Sequence, residues 1–249
     1  MSPPVGIVAG SGIELRRLLD TVCEERAFSE FPGLEQRVLR QGVATPCPRR
    51  FVCGACGPYP IVLQCGRLHM YEGLDYGAVV RPVDVLHDLG VRSILFTNAA
   101  GGLVPGMAPG DLLAVDRVRL WRYGRWDATP GTLFPNFVTP DCDFTGAYQW
   151  VHGPCYETRA EIAALQNHRM AAVGMSTAPG LARCQELGIR AGVIACITNS
   201  CCHPHVLTHE EVTTVARRSS GKLARHIRSV LPMIAGPQPE APQRPGVVS

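Results

Sequence analysis

No stretch of the 249-residue chain approaches the roughly 18 consecutive apolar residues of a membrane span, and Met1 to Gly10 has neither the basic leader nor the full apolar core of an export signal. The two absences predict a soluble, cytoplasmic protein. Charge is also scarce, at 18% of residues against roughly 25% in an average soluble domain, so folding or partner subunits must bury much of the surface. Neither sign dominates, since 24 Lys and Arg face 21 Asp and Glu for a net charge of +3, which excludes a chain that lives on nucleic-acid phosphates. Any anion site is therefore local. The eleven cysteines are odd in number, lack a secretory context and sit mostly in apolar segments such as Val193-Ile194-Ala195-Cys196-Ile197, so they read as reduced core thiols. No internal repeat is present, and 46% hydrophobic content rules out a disordered chain.

What is present is alternation. Apolar, β-branched runs at Val5 to Ala9, Ile61 to Gln64, Ser93 to Thr97, Asp111 to Val115, Ala171 to Met175 and Arg190 to Thr198 read as strands. Between them, Ala78 to Leu89 carries Val79, Val83, Leu86 and Leu89 on one side and stops at Gly90. Thr158 with Glu161, and Thr208 with Glu211, are capping boxes that open helices. The second of these helices runs to about Leu231 with an apolar stripe through Val212, Val215, Ala216, Leu223, Ile227 and Val230. The pattern predicts an α/β fold, a single domain over residues 1–235 built on a mixed, mainly parallel β-sheet flanked by helices, with a proline-rich disordered tail over 236–249. Trp121 to Trp150 has little periodicity and reads as a long surface excursion.

Ligands of open α/β sheets bind beyond the carboxyl ends of strands, and the residues there are polar and glycine-rich. They are Gly10-Ser11-Gly12, Asn98-Ala99-Ala100-Gly101-Gly102, Ser176-Thr177 and Asn199. Leu15 stands where a dinucleotide fingerprint needs its third glycine, and no Walker lysine follows, so a nucleotide cofactor is not indicated. In Gly66-Arg67-Leu68-His69-Met70-Tyr71-Glu72-Gly73, Arg67 offers a bidentate fork for phosphate, His69 a second donor and Tyr71 a hydroxyl suited to a sugar. A surface loop with an ordinary ion pair is the alternative. In Gly153-Pro154-Cys155-Tyr156-Glu157-Thr158, a purine can stack on Tyr156 while Glu157 accepts its N–H protons, or Glu157 can merely favour the helix dipole.

These blocks, with Val173-Gly174-Met175-Ser176-Thr177, Ile197-Thr198-Asn199 and His209-Glu210-Glu211-Val212, resemble in content and order the trimeric, low-molecular-mass purine nucleoside phosphorylases and the related methylthioinosine and methylthioadenosine phosphorylases. The resemblance implies reversible phosphorolysis of an N-glycosidic bond in a homotrimer, with inorganic phosphate as co-substrate and no metal or organic cofactor. It implies that Ser11, Arg67, His69, the amide of Ala99 and Ser176 hold phosphate. Tyr71, Met175 and His209 would contact the ribose, and Tyr156, Glu157 and Asn199 the base, with Asn199, Glu157 and His69 as catalytic groups. Glu with Asn is the 6-oxopurine combination of that family.

Three departures stand out. Cys47 falls where the family has another phosphate-contacting His, with Arg49 and Arg50 close by as substitutes or as solvated surface residues. The region before the Gly153 block is short, and no residue is assigned to the aromatic that in the family reaches a neighbouring subunit's sugar site, Phe134, Phe137, Phe144 and Tyr148 being the candidates. Gly180 replaces a family Glu. They leave open a phosphorylase of a modified nucleoside such as methylthioinosine, a hydrolytic nucleosidase and a purine-binding paralogue without turnover. A zinc reading rests on Cys53-Gly54-Ala55-Cys56, placed in a turn between strands, with Cys201, Cys202, His203 and His205 as further ligand types, but no second Cys-x-x-Cys accompanies it.

Overall fold

The computed structural model describes residues 2–34, 49–120, 131–202 and 208–236. Cys47, His203, His205 and nearly all of the expected tail lie outside the described residues, as does the side chain of His209, the expected ribose contact. The strands are β1 (Val5–Val8), β2 (Thr21–Ala27), β3 (Arg50–Cys56), β4 (Tyr59–Cys65), β5 (Ser93–Gly102), β6 (Leu112–Leu120), β7 (Thr132–Leu133), β8 (Phe144–Trp150), β9 (Ala172–Gly174) and β10 (Arg190–Ser200). The α-helices are α1 (Tyr76–Asp88), α2 (Arg159–Asn167), α3 (Ala178–Leu187) and α4 (His209–Ile234). Among the described residues, no helix is long and apolar enough to cross a membrane.

The near-continuous apolar strands are buried on both faces, as an α/β sheet requires. Val8, Val62, Ile94, Phe96 and Val193 pack with Val83 and Leu86 of α1 and Leu181 and Cys184 of α3. The alternate residues Ile7, Leu63, Leu95, Ile194 and Cys196 pack with Ala216, Leu223, Ile227 and Leu231 of α4. The helix signals lie where the sequence puts them. Asp75 accepts from the Ala78 N–H at 2.7 Å to start α1, and Gly90, at φ +85°, ends it with the Gly90 N–H on His87 O and the Val91 N–H on Leu86 O. Both capping boxes form, through Thr158 with Glu161 and Thr208 with Glu211.

The sheet is mixed. β1 lies parallel between β4 and β5, and β5 and β10 run parallel along nearly their whole length. At its far end β5 pairs antiparallel with β9 through Gly101 and Gly102, while the middle of β10 pairs antiparallel with β6. The path β10-β6-β8-β9-β5 thus closes on itself through the β10–β5 ladder, and β1, β4, β3 and β2 extend from it as an open wing. β1 stops at Val8, whereas its neighbour β5 continues six residues past the Val8 partner, Phe96, to Gly102. That mismatch opens a crevice beyond the carboxyl ends of β1 and β4, where α/β sheets place ligands.

Two expectations need correction. The excursion over Trp121 to Trp150 ends in a central strand, β8, whose Tyr148 and Trp150 are fully buried between β6 and β9. Its lack of visible periodicity reflects a strand covered on both sides, and residues 121–130 lie outside the description. Tyr148 is therefore core, and Phe137 is too. Phe144 packs half-buried against that core, so of these four aromatics only Phe134, 62% exposed, is presented to the surface. Cys53 and Cys56 lie within β3 and not in a turn, with Cys53 against one core and Cys56 in the other. Cysteines on opposite faces cannot share one ion, and among the described residues no group of metal-ligating side chains assembles.

Tyr148→Ala is expected to destabilise the fold by about 3–5 kcal/mol, the usual cost of removing a fully buried aromatic, with Phe134→Ala within about 0.5 kcal/mol of the parent. Urea denaturation of both variants checks this assignment, and equal stability of the two would refute it.

Candidate active site

The crevice is built from the ends of five strands. Gly10 follows β1 so closely that a Cβ there would stand 2.7 Å from Arg67 Nη2, 2.8 Å from Asn98 Cα and 2.9 Å from Thr97 O. Two of those neighbours are backbone, so only glycine fits, and its absent side chain is what lets Arg67 lie against the turn. The half-buried Ser11 follows. Gly12, at φ +72°, packs its Cα against Thr213 of α4, where a Cβ would meet backbone at 2.8 Å. That contact brings the first turn of α4, which begins at His209, to the same crevice.

Arg67 follows β4 after Gly66, whose φ of +77° makes the turn. Its Nη1 donates to Thr177 Oγ1 at 3.3 Å. Its Nε has no partner among the described residues, and no carboxylate pairs with it. Burial pulls its pKa down to about 10, with Tyr148 and Tyr71 opposing the shift, so it remains a cation at neutral pH. An uncompensated, desolvated guanidinium is an anion receptor.

Thr177 is the least expected residue of the site. It has φ +82° and ψ −49°, and the Ala178 N–H reaches Ser176 O at 3.1 Å, which closes a γ-turn that a β-branched residue adopts only under strain. The strain is held by two donors on its hydroxyl, Arg67 Nη1 and Asn98 Nδ2, the latter at 2.9 Å. The turn leads directly into α3 with Ser176 buried beside it. Sequence reading includes Thr177 and Asn98 in its strand-end blocks but gives them no role, because nothing in their spacing announces a strained turn or its clamp.

His69 is buried, and the turn Met70–Glu72 folds Glu72 back onto it. Glu72 Oε1 accepts the His69 N–H at 3.0 Å and lies 3.1 Å from Nδ1, while Oε2 takes Arg49 Nη2 at 2.6 Å. Burial lowers the His69 pKa and outweighs the opposing pull of Glu72, so the ring is neutral at pH 7. With Nδ1–H given to the carboxylate, Nε2 is an acceptor, which corrects the donor role expected for His69. Arg49 is committed to Glu72, and the more exposed Arg50 pairs with Glu25 at 2.9 Å. Neither points to a free replacement for a histidine at position 47.

The remaining residues join at the other end. Tyr71 stacks on His69 with ring centroids 4.8 Å apart. Gly153 is wedged beside Tyr71 and Met175, so that a Cβ there would stand 3.0 Å from a Tyr71 ring carbon and 2.5 Å from Met175 Sδ. Ala99 sits half-buried in β5 next to Asn98, its carbonyl close to Gly174. Both Ala99 and Asn199 lie within strands, not after them, because the β5 and β10 ladder continues through a bulge at Ile197/Asn199. Val151, His152, Tyr156, Glu157 and Glu161 line an open cleft of about 540 Å³. Burial raises the Glu157 carboxyl above the ordinary 4.5, and no described side chain donates to it. Behind Arg67 is a cavity of about 30 Å³ that includes Gly180, where the Phe96 ring, 2.7 Å from a built Cβ, takes the space of any larger residue.

The sequence profile of the phosphorylase superfamily matches residues 4–144 and 143–232. The chain is 30% identical over 92% of its length to purine nucleoside phosphorylase 1 of Geobacillus stearothermophilus, covering 91% of that protein. It is 31% identical over 94% of its length to the purine nucleoside phosphorylase of Mus musculus, covering 90%. A crystal structure of a schistosoma purine nucleoside phosphorylase in complex with hypoxanthine shares the fold with a TM-score of 0.72, at 24% identity and 92% and 90% coverage of the two chains. The chain belongs to the phosphorylase superfamily as a divergent member of its purine nucleoside phosphorylases, enzymes of the pentosyltransferase type.

Proposed function

We propose that the protein cleaves 6-oxopurine nucleosides of the inosine and guanosine type with inorganic phosphate, releasing free base and ribose 1-phosphate. The observation that carries this reading is a pair of charged groups without a side-chain counter-ion among the described residues, Arg67 with an unpartnered Nε beside Thr177 and Glu157 in the cleft it lines with Tyr156. Ser11, Arg67, Ser176 and the Ala99 amide take the phosphate. Tyr71, Met175 and His209 take the ribose, and Tyr156, Glu157 and Asn199 the base. His69 presents Nε2 to a phosphate O–H or a sugar hydroxyl. No metal or organic cofactor enters the scheme.

As the C1′–N9 bond breaks, positive charge grows on the sugar and its electron pair passes to the purine. A phosphate anion under C1′ stabilises that cation and then bonds to it. The purine gains at N7 the equivalent of the proton that the phosphate loses as it forms the ester, Asn199 Oδ1 accepts from that N7–H, and Glu157 accepts from N1–H. Each contact grows stronger as the transition state forms, so losing one costs on the order of 3 kcal/mol, or about a hundredfold in rate.

Incubation with inosine, guanosine, adenosine and 5′-methylthioinosine, with and without millimolar phosphate, is expected to give hypoxanthine or guanine in a phosphate-dependent manner. Release of ribose independent of phosphate would make the protein a hydrolase, and tight binding without product a nucleoside receptor. Glu157→Ala and Asn199→Ala are each expected to lose about a hundredfold in kcat/KM, and unchanged rates in both refute the base assignment. Because the Glu157 pKa is raised, its ionised form is lost as pH falls through that raised value. The acid limb of kcat/KM for the wild-type enzyme is therefore expected above the ordinary carboxylate range, and Glu157→Gln should abolish it. We further propose a homotrimer that uses the exposed Phe134 at a neighbour's site. Light scattering at micromolar concentration tests it, a monomer being the contrary result.

A further inference from the structure

Cys201 borders Asn199 and Glu157, two of the three groups assigned to the base. Its Sγ lies 3.6 Å from Asn199 Nδ2, within reach of an N–H···S hydrogen bond. On the other side of the carboxamide, Thr198 Oγ1 lies 3.3 Å from Asn199 Oδ1. Gly101 forms the floor under the pair, since a Cβ there would stand 2.6 Å from Cys201 Sγ and 3.3 Å from Asn199 Nδ2. The Cys201 backbone is fixed by its N–H on Gly102 O at 2.8 Å. Burial and the adjacent Glu157 carboxylate push the thiol up to about 12, so it is a neutral S–H throughout the working range. A residue with these contacts cannot shift without releasing Asn199.

We propose that Cys201 is a positioning residue that fixes the orientation of the Asn199 carboxamide and thereby sets the preference for 6-oxo over 6-amino purines. The inference rests on the base-site reading above. A carboxamide donates at one end and accepts at the other, and its two flip states present opposite patterns to a ligand. An N7-protonated 6-oxopurine needs Oδ1 facing N7 and Nδ2 facing O6. A 6-aminopurine puts a donor where O6 stood, and the same orientation then opposes two donors. In the structure Nδ2 donates to the Cys201 sulfur and Oδ1 meets the Thr198 hydroxyl, whose one proton is shared with Ala100 O, so the sulfur is the partner that distinguishes this orientation, the one that suits the oxo base. It adds the modest energy of one hydrogen bond, enough to change selectivity by about an order of magnitude.

The test compares Cys201→Ala, Cys201→Ser and Cys202→Ala with the parent, after thermal denaturation has shown that each is folded. Cys201→Ala is expected to lower inosine turnover about tenfold and the inosine-over-adenosine preference about tenfold, with KM for phosphate within about twofold of the parent. Cys201→Ser keeps a small acceptor and should restore both to within about threefold. Cys202→Ala should match the parent, because its Sγ faces Leu103 O and Gln166. Unchanged turnover and preference in Cys201→Ala overturn the proposal. So does an equal loss in the Ala and Ser variants that extends to KM for phosphate, because that marks a packing role. Calorimetric affinities for hypoxanthine against adenine read the same discrimination without turnover, so a failure of phosphorolysis and a failure of the Cys201 role are distinguishable.

Discussion

The site depends on one half-buried, desolvated positive charge without a counter-charge among the described residues. Taking a guanidinium from water is costly, and a carboxylate beside it would offset much of that cost. None is present among the described residues, and the position of Gly180 has no room for one because the Phe96 ring occupies it. Arg67 is instead fixed by neutral contacts. The Gly10 turn abuts one side of it, and the hydroxyl of the strained Thr177, itself clamped by Asn98, accepts from the other. The fold spends stability here in two places, the desolvated cation and the left-handed Thr177, and both face the same crevice. In such a site an anion completes a partnership that the chain leaves open.

Neighbouring residues meet the opposite requirement by the opposite means. His69 is kept neutral by burial and oriented by Glu72, whose own charge is balanced by Arg49. Burial alone would raise the Glu72 carboxyl, but the hydrogen bonds from His69 and Arg49 outweigh it and leave it lowered. Three charged or polar side chains therefore deliver one neutral acceptor. Glu157 has no such partner and is raised by its surroundings, so it is poised to take a proton-bearing ligand edge. Arg67, His69 and Glu157 thus supply a positive, a neutral and an acidic group, the complement of the phosphate, sugar and purine of the proposed substrate.

Much of this was legible in the residue order. Alternating apolar strands, the capping boxes at Thr158 and Thr208 and the glycine stop at Gly90 all depend on local chemistry, and local chemistry is written in adjacent residues. Arg67, His69 and Tyr71 were visible as polar groups in one glycine-bounded block, Glu157 as a carboxylate at a helix start and Asn199 as a polar group closing an apolar strand, whereas Met175 entered only through the family resemblance. What was not legible depends on distant partners. β8 carries too few alternations to distinguish a doubly covered strand from a loop, and β2 and β3 are short ladders on the open wing whose pairing is fixed by each other. The acceptor role of His69 requires the position of Glu72, and the strain at Thr177 requires the positions of Arg67 and Asn98, which lie 110 and 79 residues away in sequence. Cys201 carried a metal-ligand reading in the sequence and acquired its contact with Asn199 only through the floor at Gly101.

The most direct measurement is thermal denaturation of Arg67→Met with and without inorganic phosphate. If an uncompensated cation is the centre of the site, the variant should be as stable as the parent or more so without phosphate, since an apolar side chain has no charge to desolvate. The phosphate-induced rise in Tm seen in the parent should vanish in it. A variant that is much less stable without phosphate and still gains stability on adding it would contradict the account.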